Sequence, residues 1–276
     1  MEIKTLATGS SGNCYVLTAD TGARLMIECG IPWRRIAESM RFNFSRVCGC
    51  LISHEHKDHS LAFKDLIGHG IKICASEGTF RELNPRRSNR HEYVLKERVW
   101  TTIGDFQVLP LAAVHDAAEP MMFVIRDGVD VLLFATDTQY IPHQIKGLTQ
   151  IMVEANYSLE VLNGNYIENG DVGPRRRRII NTHLAIETLE YWFLQGLQVG
   201  AFDSLNEIHL IHMSRENADP QAFQARIQKV TGKPVLLNRR KSWSKINTLL
   251  LRFKFLKEKL KSLMTLQEIW ERIHTP

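Results

Sequence analysis

Residues 53–59 have the sequence Ser-His-Glu-His-Lys-Asp-His. They follow an apolar run, Val47–Ile52, which predicts a strand, and Ser60 after them is a suitable N-cap for a helix. Two histidines separated by one residue can direct both rings at one cation, and the Asp-His pair that follows can reach a second cation. Imidazole combined with carboxylate suits Zn, Mn or Fe better than Ca, which prefers oxygen ligands alone. The stretch therefore predicts a metal site that uses His54, His56, Asp58 and His59.

A polar surface loop that is rich in histidine by chance is the alternative. The chain has 11 His in 276 residues. Three His and one Asp at these fixed spacings arise by chance in about one of a thousand such chains. The spacing therefore favours a metal site over a chance cluster.

Strand and helix patterns alternate on both sides of this loop. Apolar or alternating runs predict strands at Ile3–Thr8, Cys14–Thr18, Leu25–Glu28, Val47–Ile52, Ile71–Ala75, Phe106–Leu111, Met122–Ile125, Val129–Thr136, Ile151–Ala155 and Glu207–Ile211. Helical spacing predicts helices at Leu61–Ile67, Ile186–Leu194 and Pro220–Val230. The expected fold class is α/β, an αββα sandwich in which two mixed sheets pack face to face with helices outside.

The charge of the chain changes abruptly near residue 238. Residues 239–276 contain ten Lys or Arg and three Asp or Glu, a net charge of +7, whereas the remainder has 25 basic and 27 acidic residues. Five apolar residues of this segment fall on one helical face: Leu249, Phe253, Leu256, Leu260 and Leu263. We therefore expect a main domain at 1–238 and a basic amphipathic helical tail at 239–276. The tail could pack on its own domain, form a homo-oligomer, or contact a partner helix, phosphates or a membrane surface.

Composition excludes several classes of protein. No stretch approaches the ~20 continuous apolar residues that span a bilayer, and the N-terminus lacks the layout of a secretory signal. The five cysteines are odd in number and include no Cys-x-x-Cys pair, so a disulfide framework is not expected. These features predict a protein of the reducing cytoplasm, or of the host cytoplasm if a phage encodes it.

The motif His-x-His-x-Asp-His after a strand resembles the signature of the metallo-β-lactamase superfamily. Two further segments, Gly-Ser-Ser-Gly-Asn-Cys at 9–14 and Met-Ile-Glu-Cys-Gly at 26–30, resemble the opening of its WalJ/YycJ-type subgroup, which comprises DNA exonucleases of bacteria and their phages. The resemblance covers about residues 1–235 and leaves out the tail. Many relatives have Asp where this chain has Glu28, and that carboxylate is thought to brace the histidine loop. Glu28 could do the same with one more methylene.

The resemblance implies three further metal ligands. His115 matches the third histidine of the first metal site, Asp137 matches the carboxylate that bridges two metals, and His212 matches the late histidine of the second site. Without the family order, a strand-end Asp is usually a turn residue and a lone His is usually solvated. The resemblance thus predicts two divalent metal ions, Zn or Mn with Fe as a further option.

His183 resembles a histidine of ribonuclease Z and WalJ-type proteins. It lies in Asn181–Glu187, which is expected to begin a helix and is similar to their His-x-x-x-Glu/Gln segment. There the histidine is close to the scissile phosphate, where it can donate a proton to the leaving oxygen because its pKa lies near the operating pH. A direct metal ligand and a histidine without a function are the alternatives.

The implied reaction is hydrolysis of a phosphodiester, with metal-bound hydroxide as the nucleophile and with Asp58 and His183 as catalytic residues. By resemblance, the substrate is DNA and the enzyme acts as a 5′ exonuclease. A hydrolase of small cyclic phosphodiesters, or of thioesters or lactams, is a rival because such metals recognise only an electrophile with a polarisable oxygen. A non-catalytic, metal-stabilised binding protein is disfavoured, because all the expected ligands are present.

Candidate substrate contacts lie in two segments. Four arginines at 175–178 follow Gly173-Pro174 in an expected loop, where Arg175 and Arg176 could bind phosphate. A solvated charge run is the alternative. Ser214 and Asn217 follow His212 in a segment that resembles the family's His-Leu-Ser-x-x-Asn, which suggests phosphate positioning. Ser214 could instead cap the next helix.

Overall fold

The computed structural model of the chain describes residues 1–84, 90–167 and 173–237. Within these residues, thirteen strands form two sheets, and eight helices accompany them. The predicted tail at 239–276 and its boundary near residue 238 lie outside the described residues and stay predictions.

The first sheet is built from the N-terminal third of the chain. Its six strands lie side by side in sequence order: β1 (Glu2–Ala7), β2 (Cys14–Thr18), β3 (Arg24–Ile27), β4 (Val47–Leu51), β5 (Ile73–Ala75) and β6 (Glu92–Val94). Pairing is antiparallel from β1 to β3 and parallel from β3 to β6. Parallel neighbours need crossover connections, and helices supply them here. These helices are α1 (Trp33–Ser39), α2 (Lys57–Ser60), α3 (Phe63–Gly68) and α4 (Glu77–Leu83).

The second sheet contains the remaining seven strands. They are β7 (Thr101–Ile103), β8 (Phe106–Ala112), β9 (Met121–Asp127), β10 (Asp130–Ala135), β11 (Gln150–Glu154), β12 (Glu207–Ile211) and β13 (Val235–Leu237), adjacent in that order. The strands from β7 to β10 pair antiparallel, and those from β10 to β13 pair parallel. Three helices connect β11 to β12, namely α5 (Leu159–Ile167), α6 (Pro174–Thr182) and α7 (Ile186–Gln198), and α8 (Pro220–Thr231) connects β12 to β13.

Buried side chains form three large apolar layers, because alternate residues of a strand point to opposite faces of its sheet. On β3, Leu25 and Ile27 pack between the two sheets, whereas Met26 packs beneath the helices of the first sheet. On β10, Phe134 lies between the sheets and Leu133 lies beneath α7 and α8. The predicted α/β sandwich, with two mixed sheets face to face and helices outside, is confirmed.

The structure corrects two local predictions. Ser60 ends α2, and its hydroxyl donates to the carbonyls of Glu55 and His56, so it does not cap the next helix. Helix α3 begins after Ala62 without a side-chain cap. The four arginines at 175–178 lie in α6 rather than in a loop, because Pro174 occupies the first helical turn, where its missing N–H costs nothing.

Across the described parts of the chain, every helix is too short or too polar to traverse a bilayer.

Candidate metal centre

The predicted ligands meet at one edge of the sandwich, where several strands end. His54 and His56 follow β4, and Asp58 and His59 belong to α2 directly after them. The other three follow β8, β10 and β12, in the order His115, Asp137 and His212. Donor atoms of His54, His56, His115 and Asp137 lie within 4.8 Å of one another, as do those of Asp58, His59, Asp137 and His212. Both sets could hold a metal ion, and Asp137 belongs to both.

The first donor set brings three imidazole rings and one carboxylate close together. Nδ1 of His56 lies 3.0 Å from Nε2 of His54 and 3.2 Å from Nε2 of His115. Nδ1 of His115 donates to the Thr182 carbonyl at 2.7 Å, so its Nε2 presents a lone pair. That Nε2 lies 3.5 Å from Oδ2 of Asp137. Burial lowers the pKa of both His54 and His115, which keeps their rings neutral. Converging lone pairs and a carboxylate fit a divalent ion.

The second donor set alternates imidazoles with carboxylates. Nε2 of His59 lies 3.3 Å from Oδ2 of Asp58 and 3.4 Å from Oδ2 of Asp137. Nδ1 of His212 lies 2.9 Å from Oδ1 of Asp137. Burial lowers the pKa of His59 and His212, but the nearby carboxylates, Asp137 first, outweigh burial and hold both pKa values above the ordinary range. Metal binding at this set would therefore replace protons.

Sequence reasoning missed Glu154, a fully buried acid that ends β11. Its Oε1 accepts from Nδ1 of His183 at 2.7 Å and lies 2.9 Å from Nδ1 of His212. Its Oε2 accepts from the backbone N–H groups of Thr138 and Leu184. Burial raises the pKa of Glu154, but the contacts with His183 and His212 together outweigh burial and lower it. The available signal was an acidic residue inside the apolar run Ile151–Ala155.

His183 does not begin a helix, as was predicted, but follows α6 as its C-cap. The next helix, α7, begins at Ile186. The His183 ring lies 5.4 Å from the ring of His115 and 5.6 Å from that of His212, centroid to centroid. With Asp137, Glu154 and His212, it forms a third group of potential donors within 4.8 Å. The structure therefore places His183 beside both metal sets, where a proton donor and a ligand are each compatible with its position.

The two N-terminal motifs, at residues 9–14 and 26–30, form hydrogen bonds with the backbone of the segment that carries the histidines. The Asn13 N–H donates to the Asp58 carbonyl and the Cys29 N–H donates to the His59 carbonyl, each at 2.7 Å. The Gly30 N–H in turn donates to the Asn13 carbonyl at 2.8 Å. A Cβ on Gly30 would lie 1.7 Å from the Asp58 carbonyl oxygen, so only glycine fits there.

Glu28 is buried beneath the same loop. Its Oε1 accepts from the Ser53 N–H at 3.2 Å and lies 3.6 Å from Nδ1 of His59.

Glu28, Asp137 and His212 have φ values of 62°, 44° and 49°, which non-glycine residues rarely adopt. Such backbone costs about 1–3 kcal/mol per residue and clusters at functional sites.

Three arginines of α6 contact different partners, because neighbouring helix positions project in different directions. Arg175 pairs with Glu216 at 3.1 Å, and Arg176 donates twice to Oδ1 of Asn163. Nε of Arg178 donates to Oδ2 of Asp116 at 2.7 Å. The other oxygen of Asp116 lies 3.3 Å from Nε2 of His115. Arg178, which sequence reasoning did not select, is thus the arginine tied to the donor cluster, and substrate roles for Arg175 and Arg176 stay predictions.

Ser214 and Asn217 lie in the turn after His212. The Ser214 hydroxyl accepts from the N–H of Asn217, and the buried Asn217 side chain accepts from Asn165. The alternative that Ser214 caps the next helix is wrong, because Asp219 is the N-cap of α8. Phosphate positioning by Ser214 and Asn217 stays a prediction.

Comparison with known proteins identifies the family. A model of the β-lactamase superfamily domain matches residues 23–188, more than half of the chain. The chain is 25% identical over 231 residues to exodeoxyribonuclease YycJ of Bacillus anthracis, which covers 79% of this chain and 84% of the relative.

Solved structures agree with this fold. The metallo-β-lactamase fold protein YhfI of Bacillus subtilis superposes with a TM-score of 0.65 at 12% identity, covering 87% of this chain and 97% of that one. Zn²⁺-bound PqqB of Methylobacterium extorquens gives a TM-score of 0.61 at 13% identity, covering 86% and 98%. The chain therefore belongs to the β-lactamase superfamily and is a hydrolase with the metallo-β-lactamase fold.

Proposed function

We propose that the chain is a two-metal phosphodiesterase whose substrate is DNA, cleaved by a 5′ exonuclease-like reaction. The observation that carries the proposal is the pair of donor sets that share Asp137, since two adjacent metals suit in-line displacement at phosphorus. The name of the Bacillus anthracis relative, an exodeoxyribonuclease, supports DNA as the substrate. The five free cysteines support a location in the cytoplasm.

The proposed ligands divide between the two donor sets. The first set would use His54, His56 and His115, the second Asp58, His59 and His212, and Asp137 would serve both. Zn, Mn or Fe is compatible with these nitrogen and oxygen donors. When bound, such ions lower the pKa of a water towards ~7 and neutralise charge on the phosphate.

The protein's own groups would orient the substrate and handle protons. Glu154 accepts the Nδ1–H of His183 and favours its doubly protonated ring, whose Nε2–H is the group that would protonate the departing sugar oxygen. Asp58, whose side chain is 27% exposed, is the least buried carboxylate of the second donor set. Arg178 would exchange Asp116 for a substrate phosphate, because guanidinium binds both anions in the same geometry.

Hydrolysis of end-labelled single- and double-stranded DNA by metal-loaded protein tests this function. We expect stepwise shortening with Mn or Zn, and complete loss of it in Asp58→Ala. DNA that stays intact while a thioester or a small cyclic phosphodiester is turned over would establish the rival hydrolase instead. Unchanged DNA cleavage in Asp58→Ala would reject the proposed site.

His183→Ala is expected to retain both metal ions and to lose turnover by about 10²- to 10⁴-fold, the usual contribution of a general acid. Metal content by mass spectrometry and single-turnover cleavage of a DNA oligonucleotide measure the two quantities. His69→Ala, at an exposed histidine after α3, is the matched control and should retain full activity. Loss of one metal equivalent from His183→Ala would make this residue a ligand.

Arg178→Ala is expected to raise KM for an oligonucleotide about 10-fold with little change in kcat, because it removes one charged phosphate contact. The dependence of log(kcat/KM) on log[salt] should become shallower by about one. Arg34→Ala, at an exposed arginine of α1 that also pairs with one carboxylate, is the control. An unchanged KM and salt slope would exclude Arg178 from the substrate contacts.

A further inference from the structure

A groove of about 390 Å³ lies on the outer face of the second sheet, away from the metal ligands. Its floor is apolar and includes Leu109 of β8 and Val124 of β9. Its walls carry Arg98, Trp100, Arg126 and Lys146, from the segment before β7, from β9 and from the segment after Asp137. An aromatic ring and three cations therefore surround an apolar surface.

The charge of the groove contrasts with that of the domain around it. Residues 1–238 have a net charge of −2 (25 basic against 27 acidic), yet no acidic residue is among those lining the groove. Arg98 has an ion pair with its neighbour Glu97 at 3.3 Å, an exposed contact that constrains it little. The groove thus selects an anion. The same charge disfavours the basic segment 239–276 as its occupant.

Trp100 adds a surface suited to bases. Its side chain is among the exposed large hydrophobics, at 45% exposure, and the guanidinium of Arg126 lies 4.9 Å from its ring centroid. Nucleic-acid bases stack on exposed aromatic rings and on guanidinium planes, and each stack is largely independent of sequence. The groove therefore combines an apolar floor, an aromatic ring and cations. This combination suits single-stranded nucleic acid, which has both flat bases and phosphates, better than an acidic peptide, which has charge but few flat rings.

Two chain segments link the groove to the candidate metal centre. Leu111 lines it and lies on β8 four residues before His115, a span of about 13 Å along an extended chain. Lys146 lies in the segment that leaves Asp137 for β11. A strand held at the donor cluster could therefore extend over this face.

We propose that the groove binds a single-stranded segment of the DNA substrate, with bases on Trp100 and Arg126 and phosphates on Arg98 and Lys146. This inference rests on the proposed function, and it adds a binding surface outside the metal centre.

Fluorescence anisotropy of a labelled oligonucleotide of about 12 nucleotides, within the usual site sizes of single-strand binders, tests the groove. The full chain is used with EDTA, so that binding is measured without cleavage. We expect Trp100→Ala and Arg126→Glu each to weaken binding by about 5- to 100-fold, and Trp100→Phe to retain most of it.

The slope of log affinity against log[salt] should become shallower by about one in Lys146→Ala. Lys64→Glu, on the exposed face of α3, is the charge-reversal control and should bind as the wild type does. Thermal melting verifies that each variant is folded.

Equal affinities for the wild type, Trp100→Ala and Arg126→Glu would overturn the groove assignment. Displacement of the oligonucleotide by a Glu-rich peptide as readily as by unlabelled DNA would overturn it in favour of an acidic protein partner. Turnover of bis-p-nitrophenyl phosphate and DNA by the metal-loaded wild type is measured separately. Failure there would reject the proposed function, whereas failure of the anisotropy test alone would reject only the groove.

Discussion

Replacing Gly30 with alanine should disrupt the metal centre, although Gly30 supplies no ligand. The added Cβ would lie 1.7 Å from the carbonyl oxygen of Asp58 and 2.6 Å from the backbone nitrogen of His59. Both are backbone atoms of α2. Backbone cannot rotate away as a flexible side chain can, so the segment carrying Asp58 and His59 must shift. We expect the free energy of unfolding to fall by about 3 kcal/mol, at the upper end for overpacked sites, and the second donor set to lose its metal.

Urea denaturation and metal content by mass spectrometry measure the two effects. Gly68→Ala is the matched control, because a Cβ there meets no atom within 4 Å and the residue lies at the end of α3. In the control, alanine should be neutral or stabilise by about 0.5–1 kcal/mol. A Gly30→Ala protein with wild-type stability and two bound metals would show that the close backbone contact does not constrain the loop.

The fold was predictable because its signals are local. Strand patterns such as Cys14–Thr18 and Glu207–Ile211 were found at the predicted residues, since short, mostly apolar runs are typical of strands that are buried on both faces. Of the four three-residue strands in the described residues, only β5 was predicted, within Ile71–Ala75. β6 (Glu92–Val94) and β7 (Thr101–Ile103) have only three residues each, too few for a periodic pattern to stand out.

The composition of the metal centre was predictable only in part. The spacing within residues 53–59 predicted four candidate ligands, and the family resemblance supplied His115, Asp137 and His212. The structure brings the donor atoms of all seven together at one edge of the sandwich. Glu154 was missed because its importance depends on His183 and His212, which are 29 and 58 residues away in sequence. No local pattern reports a contact of that kind.

The arginine run shows the same limit. Four consecutive arginines indicate charge but not direction, and only the helical geometry of α6 separates Arg178 from Arg175 and Arg176. The groove at Trp100 is also non-local, since its residues come from five separate segments of the chain.

Asp137→Asn should abolish activity and weaken metal binding at both donor sets. Asp137 is the residue common to all three donor groups, it is 3% exposed, and its carboxylate lies within 3.6 Å of His54, His59, His115 and His212. Asparagine preserves the size but removes the charge that would balance two cations. Changes to residues that merely orient ligands cost about 10- to 100-fold in metal affinity or activity, and loss of a shared ligand should exceed this range.

Calorimetric titration with Mn or Zn measures metal affinity, and hydrolysis of labelled DNA measures activity. Metal should raise the Tm of the wild type by mass action and leave that of Asp137→Asn nearly unchanged, because a ligand stabilises only the state that binds it. Asp65→Asn, at an exposed carboxylate of α3, is the control and should respond to metal as the wild type does. Asp137→Asn that still binds two metal ions with wild-type affinity would show that the two donor sets do not depend on this carboxylate, and the proposed two-metal centre would then have to be abandoned.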